Sequence, residues 1–154
     1  MQNQMNKYRR LKNLFLRQSY LDAWEDYQRS ILKKSFPKWD YIVLTASNEE
    51  QGKAFQKQIE YRSEKGVLPD ATKFLVIPDP DGKRIGSGGA TLHVLRTLSE
   101  REGFLGDFHG KRILVIHSGG DSKRVPQYSV CGKLFSPVPR ELPDGRGSTL
   151  FDEF

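Results

Sequence analysis

The segment from residue 114 to 134 contains the residues best suited to chemistry in this chain of 154 residues. A short apolar run enters Gly119 and Gly120, where the backbone can turn sharply and present bare N–H groups. A hydroxyl and three cations follow and can surround an anion. This polar run comprises Asp121, Ser122, Lys123, Arg124 and, nine residues further on, Lys133. The pattern predicts a phosphate-binding loop.

Two of these cations have a spacing that suits a triphosphate. Arg124 is expected to bind the departing β- and γ-phosphates, because a guanidinium can donate two parallel hydrogen bonds to phosphate oxygens. Lys133 is expected to stabilise charge at the phosphorus under attack. The structural alternative is a glycine hairpin whose cations are simply solvated, and the sequence leaves it open.

A second glycine-rich run, formed by Gly86, Ser87, Gly88 and Gly89, comes before a helix predicted from about Ala90 to Arg101. Free N–H groups and the helix dipole favour an anion there, such as a nucleotide phosphate. The run is not the dinucleotide-binding fingerprint, whose sixth position is Gly or Ala where this chain has Thr91. It is not a P-loop either, since no Gly-Lys pair of the chain has the required neighbours. A tight turn that binds nothing is the alternative.

The elements that must position these loops follow from the hydrophobic pattern. Strands are predicted at residues 40–46, 73–77 and 112–117, and they alternate with helices at about 47–65 and 90–101. Residues 47–50 have the pattern of a helix cap followed by two first-turn acids, Glu49 and Glu50. An amphipathic helix, or a broken pair of helices, is predicted from Lys7 to Lys34. Such alternation is typical of a mostly parallel α/β sheet with flanking helices. Ligands of these sheets bind at the carboxyl ends of the strands, where both glycine-rich loops fall.

Composition excludes several classes of protein. A mean hydropathy of -0.63 and the lack of any long apolar run argue against a membrane protein. The first twelve residues have no apolar core of a secretory signal, and Cys131 is a lone cysteine, so we expect a cytoplasmic protein without disulfides. The net charge of +6 is concentrated in residues 1–38 and 111–146. No nucleic-acid-reading motif accompanies it, and we expect solvated basic faces instead.

The remaining polar candidates each have a structural explanation. His117 ends a predicted strand, where it can contact a phosphate or pack under the turn. His93 and His109 lack the spaced partners of a zinc site, and Cys131 has no histidine nearby to activate it. Asp79 and Asp81 can bind Mg²⁺, or can belong to a turn rich in Asp, Pro and Gly. No metal ligand is assigned from the sequence.

Residues 79–92 and 116–139 together resemble the fucose-1-phosphate guanylyltransferase family, which includes the amino-terminal halves of bifunctional L-fucokinase/GDP-fucose pyrophosphorylases. The resemblance runs from Trp39 to the last residue. It implies a Rossmann-like nucleotidyltransferase core that uses Mg²⁺ and joins GTP to L-fucose 1-phosphate, giving GDP-L-fucose and pyrophosphate. The resemblance extends to the glycine-rich loop of sugar nucleotidyltransferases, whose positions are occupied here by Gly119, Gly120, Ser122, Arg124 and Lys133. The usual Gly-x-Gly-Thr core of that loop is replaced here by Gly-Gly-Asp-Ser.

The resemblance also implies a domain organisation. Residues 1–38 are expected to form a helical extension, and residues 39–154 the amino-terminal part of a nucleotidyltransferase domain in a longer protein. Thr149 and Asp152 have the spacing of a helix start. Two alternatives stay open: a non-catalytic nucleotide-binding fragment, or the front of a bifunctional protein whose kinase domain lies downstream. The choice of GTP rests on the resemblance alone.

Overall fold

A computed structural model of the chain describes residues 2–32, 38–118, 126–128, 132–142 and 145–153. Three of its strands form one parallel sheet with helices on both faces, which confirms the predicted α/β class. In chain order the α-helices and strands are α1 Gln2–Leu32, β1 Tyr41–Ala46, α2 Glu49–Glu64, β2 Lys73–Pro78, α3 Gly86–Glu102, β3 Ile113–His117, β4 Pro137–Glu141 and β5 Gly147–Thr149.

The parallel sheet has the strand order β2-β1-β3 and places β1 in the centre. Alternate side chains of β1 face opposite sides, as the pleat of a strand requires. Leu44 and Ala46 belong to the core under α2, whereas Val43 packs with Val94 and Leu98 of α3. The two crossover helices therefore cover opposite faces, and the chain reverses its winding direction between β1 and β3.

The start of α2 has the predicted chemistry. The Asn48 side chain accepts a hydrogen bond from the backbone N–H of Gln51 at 2.8 Å, and Glu49 and Glu50 occupy the first turn. Both features stabilise a helix amino terminus, by satisfying a free N–H group and by complementing the dipole. The predicted cap and first-turn acids are confirmed.

The predicted start of α3 is wrong by four residues. The helix begins at Gly86, so residues 86–89 form its first turn and do not lie in a loop before it. Three glycines have low helix propensity, which delayed the predicted start, but the first-turn N–H groups need no partner within the helix. Gly89 is also required by packing, because a Cβ there would lie 2.9 Å from Cβ of Ile85.

The amino-terminal helix α1 is one continuous helix, so the alternative of a broken pair is wrong. Its apolar residues Leu14 and Phe15 are exposed. Neither α1 nor any other helix among the described residues is both long and apolar enough to cross a membrane. Contacts hold its second half to the rest of the chain. The Tyr27 hydroxyl donates to the Val67 carbonyl at 2.6 Å, and the Arg140 guanidinium lies 3.7 Å from the centre of the Tyr20 ring.

In residues 132–142 and 145–153, β4 and β5 pair in an antiparallel arrangement, and a short turn, Leu150–Glu153, follows β5. The sequence predicted neither strand. Thr149 and Asp152 do begin this turn as predicted: the Asp152 carboxylate accepts from the backbone N–H of Thr149 at 2.9 Å. The buried Arg62 of α2 binds both oxygens of that carboxylate at 2.8 Å, and its guanidinium lies beside the neighbouring rings of Phe135 and Phe151. This ion pair fastens the end of the described chain to α2.

The Arg62–Asp152 ion pair makes the stability of the fold depend on pH. Burial raises the pKa of the Asp152 carboxyl, but hydrogen bonds from Arg62 and Thr149 outweigh burial and hold that pKa below its ordinary value. The resulting stabilisation is complete above the unfolded pKa of about 3.9 and is lost as pH falls through the folded pKa. We expect the melting temperature to drop below about pH 4. Thermal unfolding of wild type and Asp152→Asn across this range tests it, and equal acid sensitivity would contradict the expectation.

Candidate functional site

The first turn of α3 presents backbone donors at the carboxyl edge of the sheet. Gly86 has φ of 70°, which favours glycine, and no side chain caps the helix. Gly86, Ser87 and Gly88 are exposed, and Gly89 is half-buried. Since the first N–H groups of a helix lack intrahelical partners, this turn can bind an anion. The structure thus places the four predicted residues of this run together at a helix amino terminus.

The end of β3 is fixed to both of its neighbours. The Ser118 hydroxyl donates to the Thr45 carbonyl of β1 at 2.5 Å, and the Ser118 N–H donates to the Thr45 hydroxyl at 3.3 Å. On the other side, Nε2 of His117 lies 3.1 Å from the Thr91 hydroxyl, which also donates to the Ser87 carbonyl of α3. His117 is exposed. The chain therefore enters residue 119 from a well-defined position.

The greater part of the predicted phosphate loop lies outside the described residues. This applies to Gly119, Gly120, Asp121, Ser122, Lys123 and Arg124, and also to Cys131. Their predicted roles stay predictions, and the structure contributes the residues on either side of them.

Gly132 and Lys133 lie against the start of α2. Gly132 is buried with φ of 68°, and a Cβ on it would meet Cζ of Phe55 at 2.6 Å and Nε2 of Gln51 at 3.2 Å. Lys133 is exposed and begins a short turn that runs to Phe135. Because Phe55 and Gln51 follow β1, this contact brings Lys133 to the same edge of the sheet as Ser118.

Gln51 is a candidate that the sequence analysis missed. Its side chain is 5% exposed, and its Oε1 accepts from the Ser47 N–H at 2.8 Å and from the Ser47 hydroxyl at 3.0 Å. The signal that could have found it is the spacing Asn48-Glu-Glu-Gln51, since Gln at the third helical position is typical of a capping box. Its side chain bonds to Ser47, which follows β1, and lies beside Gly132.

The other polar candidates do not form a metal site in the described part of the chain, where no three His, Cys, Asp or Glu side chains cluster. Residues 80–82 form a short turn with Asp81 at φ of 55°, so the predicted turn is confirmed. The Asp79 N–H donates to the Ala46 carbonyl at 2.7 Å. The described residues thus do not supply a ligand set that fits Mg²⁺, and no chemical step is assigned to that ion.

Taken together, the carboxyl edge of the sheet carries the amino terminus of α3, the fixed end of β3 and the turn that contains Lys133. Backbone donors and a cation at the switch point of a parallel sheet are suited to binding a phosphorylated ligand. The described geometry orients and neutralises an anion.

The contact at Gly132 predicts the effect of a methyl group. We expect Gly132→Ala to lower the free energy of unfolding by about 2 kcal/mol, because the methyl group overlaps the buried Phe55 ring. Gly110→Ala is the matched control, since Gly110 has φ of 71° with nothing within 4 Å of an added Cβ. Urea unfolding of both variants separates packing from backbone strain, and equal losses would contradict the packing argument.

Three comparisons relate the chain to known proteins. The model of the fucose pyrophosphorylase domain matches residues 106–154. The bifunctional fucokinase/GDP-fucose pyrophosphorylase of Arabidopsis thaliana is 41% identical over 137 residues, covering 75% of this chain and 13% of the relative. The fucose-1-phosphate guanylyltransferase of Mus musculus is 40% identical over 106 residues, covering 68% of this chain and 18% of the relative.

A bacterial relative, the L-fucokinase/L-fucose-1-P guanylyltransferase of Bacteroides fragilis, is 35% identical over 72 residues, covering 44% of this chain and 8% of the relative. The chain thus spans less than one fifth of the length of each of these three relatives. No solved structure matches the chain.

Proposed function

The chain belongs to the fucose-1-phosphate guanylyltransferase family, and from this membership we propose that the protein containing it transfers a guanylyl group. The reaction joins GTP to L-fucose 1-phosphate and yields GDP-L-fucose and pyrophosphate. The observation that carries the proposal is the convergence of the α3 amino terminus, the end of β3 and Lys133 at one edge of the sheet.

In the proposed reaction, a phosphate oxygen of the sugar attacks the α-phosphorus of GTP in line with the departing pyrophosphate. The new P–O bond forms as the bond between the α- and β-phosphates breaks, and the electron pair leaves with pyrophosphate. Lys133 is proposed to stabilise charge at the α-phosphorus. Arg124, which precedes the described turn at Lys133, is proposed to hold the β- and γ-phosphates.

Backbone groups orient the nucleotide in this proposal. The first-turn N–H groups of α3 offer donors to phosphate oxygens without a cost of reorganisation. We propose that the loop after Ser118 completes the phosphate-binding site. Its residues are Gly119, Gly120, Asp121, Ser122 and Lys123. The hydrogen bonds between Ser118 and Thr45 support this assignment, since they fix the direction in which the chain leaves the sheet.

Mg²⁺ is proposed as the cofactor on the strength of the family resemblance, and its chemistry is to neutralise phosphate charge when bound. A cytoplasmic location is likewise proposed, in keeping with the lone cysteine Cys131. The printed names of two relatives also include fucokinase. We propose that any such kinase activity belongs to a different part of the protein, since the residues here carry no glycine-rich kinase loop.

The test of the proposed function is release of pyrophosphate by the product of the complete reading frame, supplied with GTP, L-fucose 1-phosphate and Mg²⁺. We expect release that depends on both substrates. A protein that binds GTP but releases no pyrophosphate at any pH would support the alternative of a non-catalytic nucleotide-binding fragment. Phosphorylation of fucose by ATP in this chain alone would contradict our assignment of kinase activity to another part.

A further inference from the structure

The helix α1 has an apolar stripe on its surface. At about 100° per residue, apolar and aromatic side chains of its second to sixth turns fall within an arc of about 140°. The stripe consists of Tyr8, Leu11, Leu14, Phe15 and Leu21, which are between 46% and 72% exposed. A single exposed leucine needs no explanation, but apolar side chains aligned on one face of a helix are typical of a surface that binds another protein.

The apolar stripe faces away from the rest of the described chain. The helix contacts that part of the chain through Tyr20, whose ring lies against Arg140, and through Tyr27, which bonds to Val67. These two tyrosines lie about 180° around the helix from the middle of the stripe. Every side chain from residue 5 to residue 23 is exposed. A second molecule can therefore reach the stripe without displacing the contacts that hold α1 to the fold.

The charges of α1 differ between its two halves. Residues 2–21 contain five cations and no acidic residue, whereas residues 22–32 contain three acidic residues and one cation. The cations of the first half are Lys7, Arg9, Arg10, Lys12 and Arg17, and the acidic residues of the second half are Asp22, Glu25 and Asp26. A complementary partner needs acidic side chains opposite the first half and cations opposite the second. A second copy of α1 that runs in the opposite direction meets both requirements.

We propose that α1 pairs with α1 of a second copy of the protein, in antiparallel direction and with the two stripes in contact. The middle of the stripe lies between Leu14 and Phe15, so a two-fold axis there places Leu14 of one copy opposite Phe15 of the other. The same register places Lys7 opposite Asp22 at both ends of the contact. Both side chains lie about 30° from the middle of the stripe, where they can meet across the pair. The folded parts of the two copies then lie on the outer sides of the helix pair.

Charge reversal at the two ends of the stripe tests the pairing. Lys7→Glu places two carboxylates against each other at each end of the contact, and Asp22→Lys places two ammonium groups there. We expect each variant alone, made from the complete reading frame, to associate at least about tenfold more weakly than wild type. An equimolar mixture of the two variants restores opposite charges at both ends, so its association is expected to return to within about threefold of wild type. Sedimentation velocity over a range of protein concentrations measures each association.

Arg9→Glu is the matched control, because it changes the net charge by the same amount as Lys7→Glu on the opposite side of the helix. We expect its association to stay within about twofold of wild type. Leu14→Glu places a charge at the middle of the stripe, and we expect it to weaken association by at least about a hundredfold. Asp22→Lys also removes an exposed hydrogen bond from Gln18 within α1, so melting temperatures of all variants are compared to show that the folded state is intact.

Restored association in the mixture supports the inference, because only two copies that pair in antiparallel direction gain from the combined reversals. A wild-type protein whose mass does not change with concentration overturns the inference. Association of Leu14→Glu equal to wild type also overturns it, since the copies would then meet elsewhere. A mixture that associates no better than either variant alone overturns it as well, because another part of the protein or a different partner would then cover the stripe. None of these outcomes depends on the proposed reaction, since no nucleotide is present.

Discussion

Arg62→Ala is expected to lower the free energy of unfolding by about 3–5 kcal/mol. The side chains of Arg62 and Asp152 are 5% and 7% exposed, so removal of the guanidinium leaves a carboxylate buried without its partner. The guanidinium also donates to the Thr149 hydroxyl at 3.0 Å and to the Gln58 carbonyl at 3.1 Å. Its loss therefore removes a charge, several hydrogen bonds and the contacts of the guanidinium with two aromatic rings.

Urea unfolding of the variant measures this loss, and Arg96→Ala is its control. Arg96 pairs with Glu100 at 2.8 Å, but the two side chains are 78% and 63% exposed. An exposed pair contributes about 0–1 kcal/mol, so the control is expected to stay close to wild type. If both variants lost the same small amount, the Arg62–Asp152 contact would not hold the carboxyl-terminal segment to α2.

Short-range patterns were enough to predict the core of the fold. The apolar runs at 40–46, 73–77 and 112–117 form β1, β2 and β3, because strands of a parallel sheet that helices cover on both faces have nearly continuous apolar sequences. Asn48, Glu49 and Glu50 predicted the start of α2 through chemistry that operates within one turn. The alternation of these strands with helices predicted that the strands run parallel, and the structure confirms this direction.

The unpredicted contacts join residues that are distant in sequence. Arg62 and Asp152 are separated by 90 residues, and neither has neighbours that indicate its burial. The strands β4 and β5 contain Pro137 and Gly147, which are poor strand formers and conceal the hairpin. Such pairings depend on how the turn at Gly132 fits against Phe55, and a packing fit of this kind leaves no periodic signal.

The sequence predicted residues in the loops of the candidate site better than the residues of the helices and strands that pack against those loops. Gly86 and Lys133 were identified from residue type and spacing, and the structure places both on the carboxyl edge of the sheet. Gln51 was missed because its place beside Gly132 joins residues that are far apart in sequence. The residues from Gly119 to Arg124 remain predictions, since they lie outside the described ranges.

Lys133→Met is expected to lower kcat for pyrophosphate release by about 10²–10³-fold in the full-length protein. The ammonium group is proposed to act on charge that develops at the α-phosphorus, so its loss should affect the transition state more than the binding of GTP. Lys133 is exposed, and methionine retains most of its length. Stability is therefore expected to change by no more than about 0.5 kcal/mol.

Lys57→Met provides the control for this variant, because Lys57 is an exposed lysine of α2 outside the candidate site. A selective effect of Lys133 on kcat, with both variants equally stable, would assign the ammonium to the reaction. A rise of KM for GTP at constant kcat would instead mean that Lys133 binds substrate and transition state equally. Activity equal to wild type would leave the resemblance intact but remove Lys133 from the mechanism, and the cation acting on the α-phosphorus would have to come from residues 119–124.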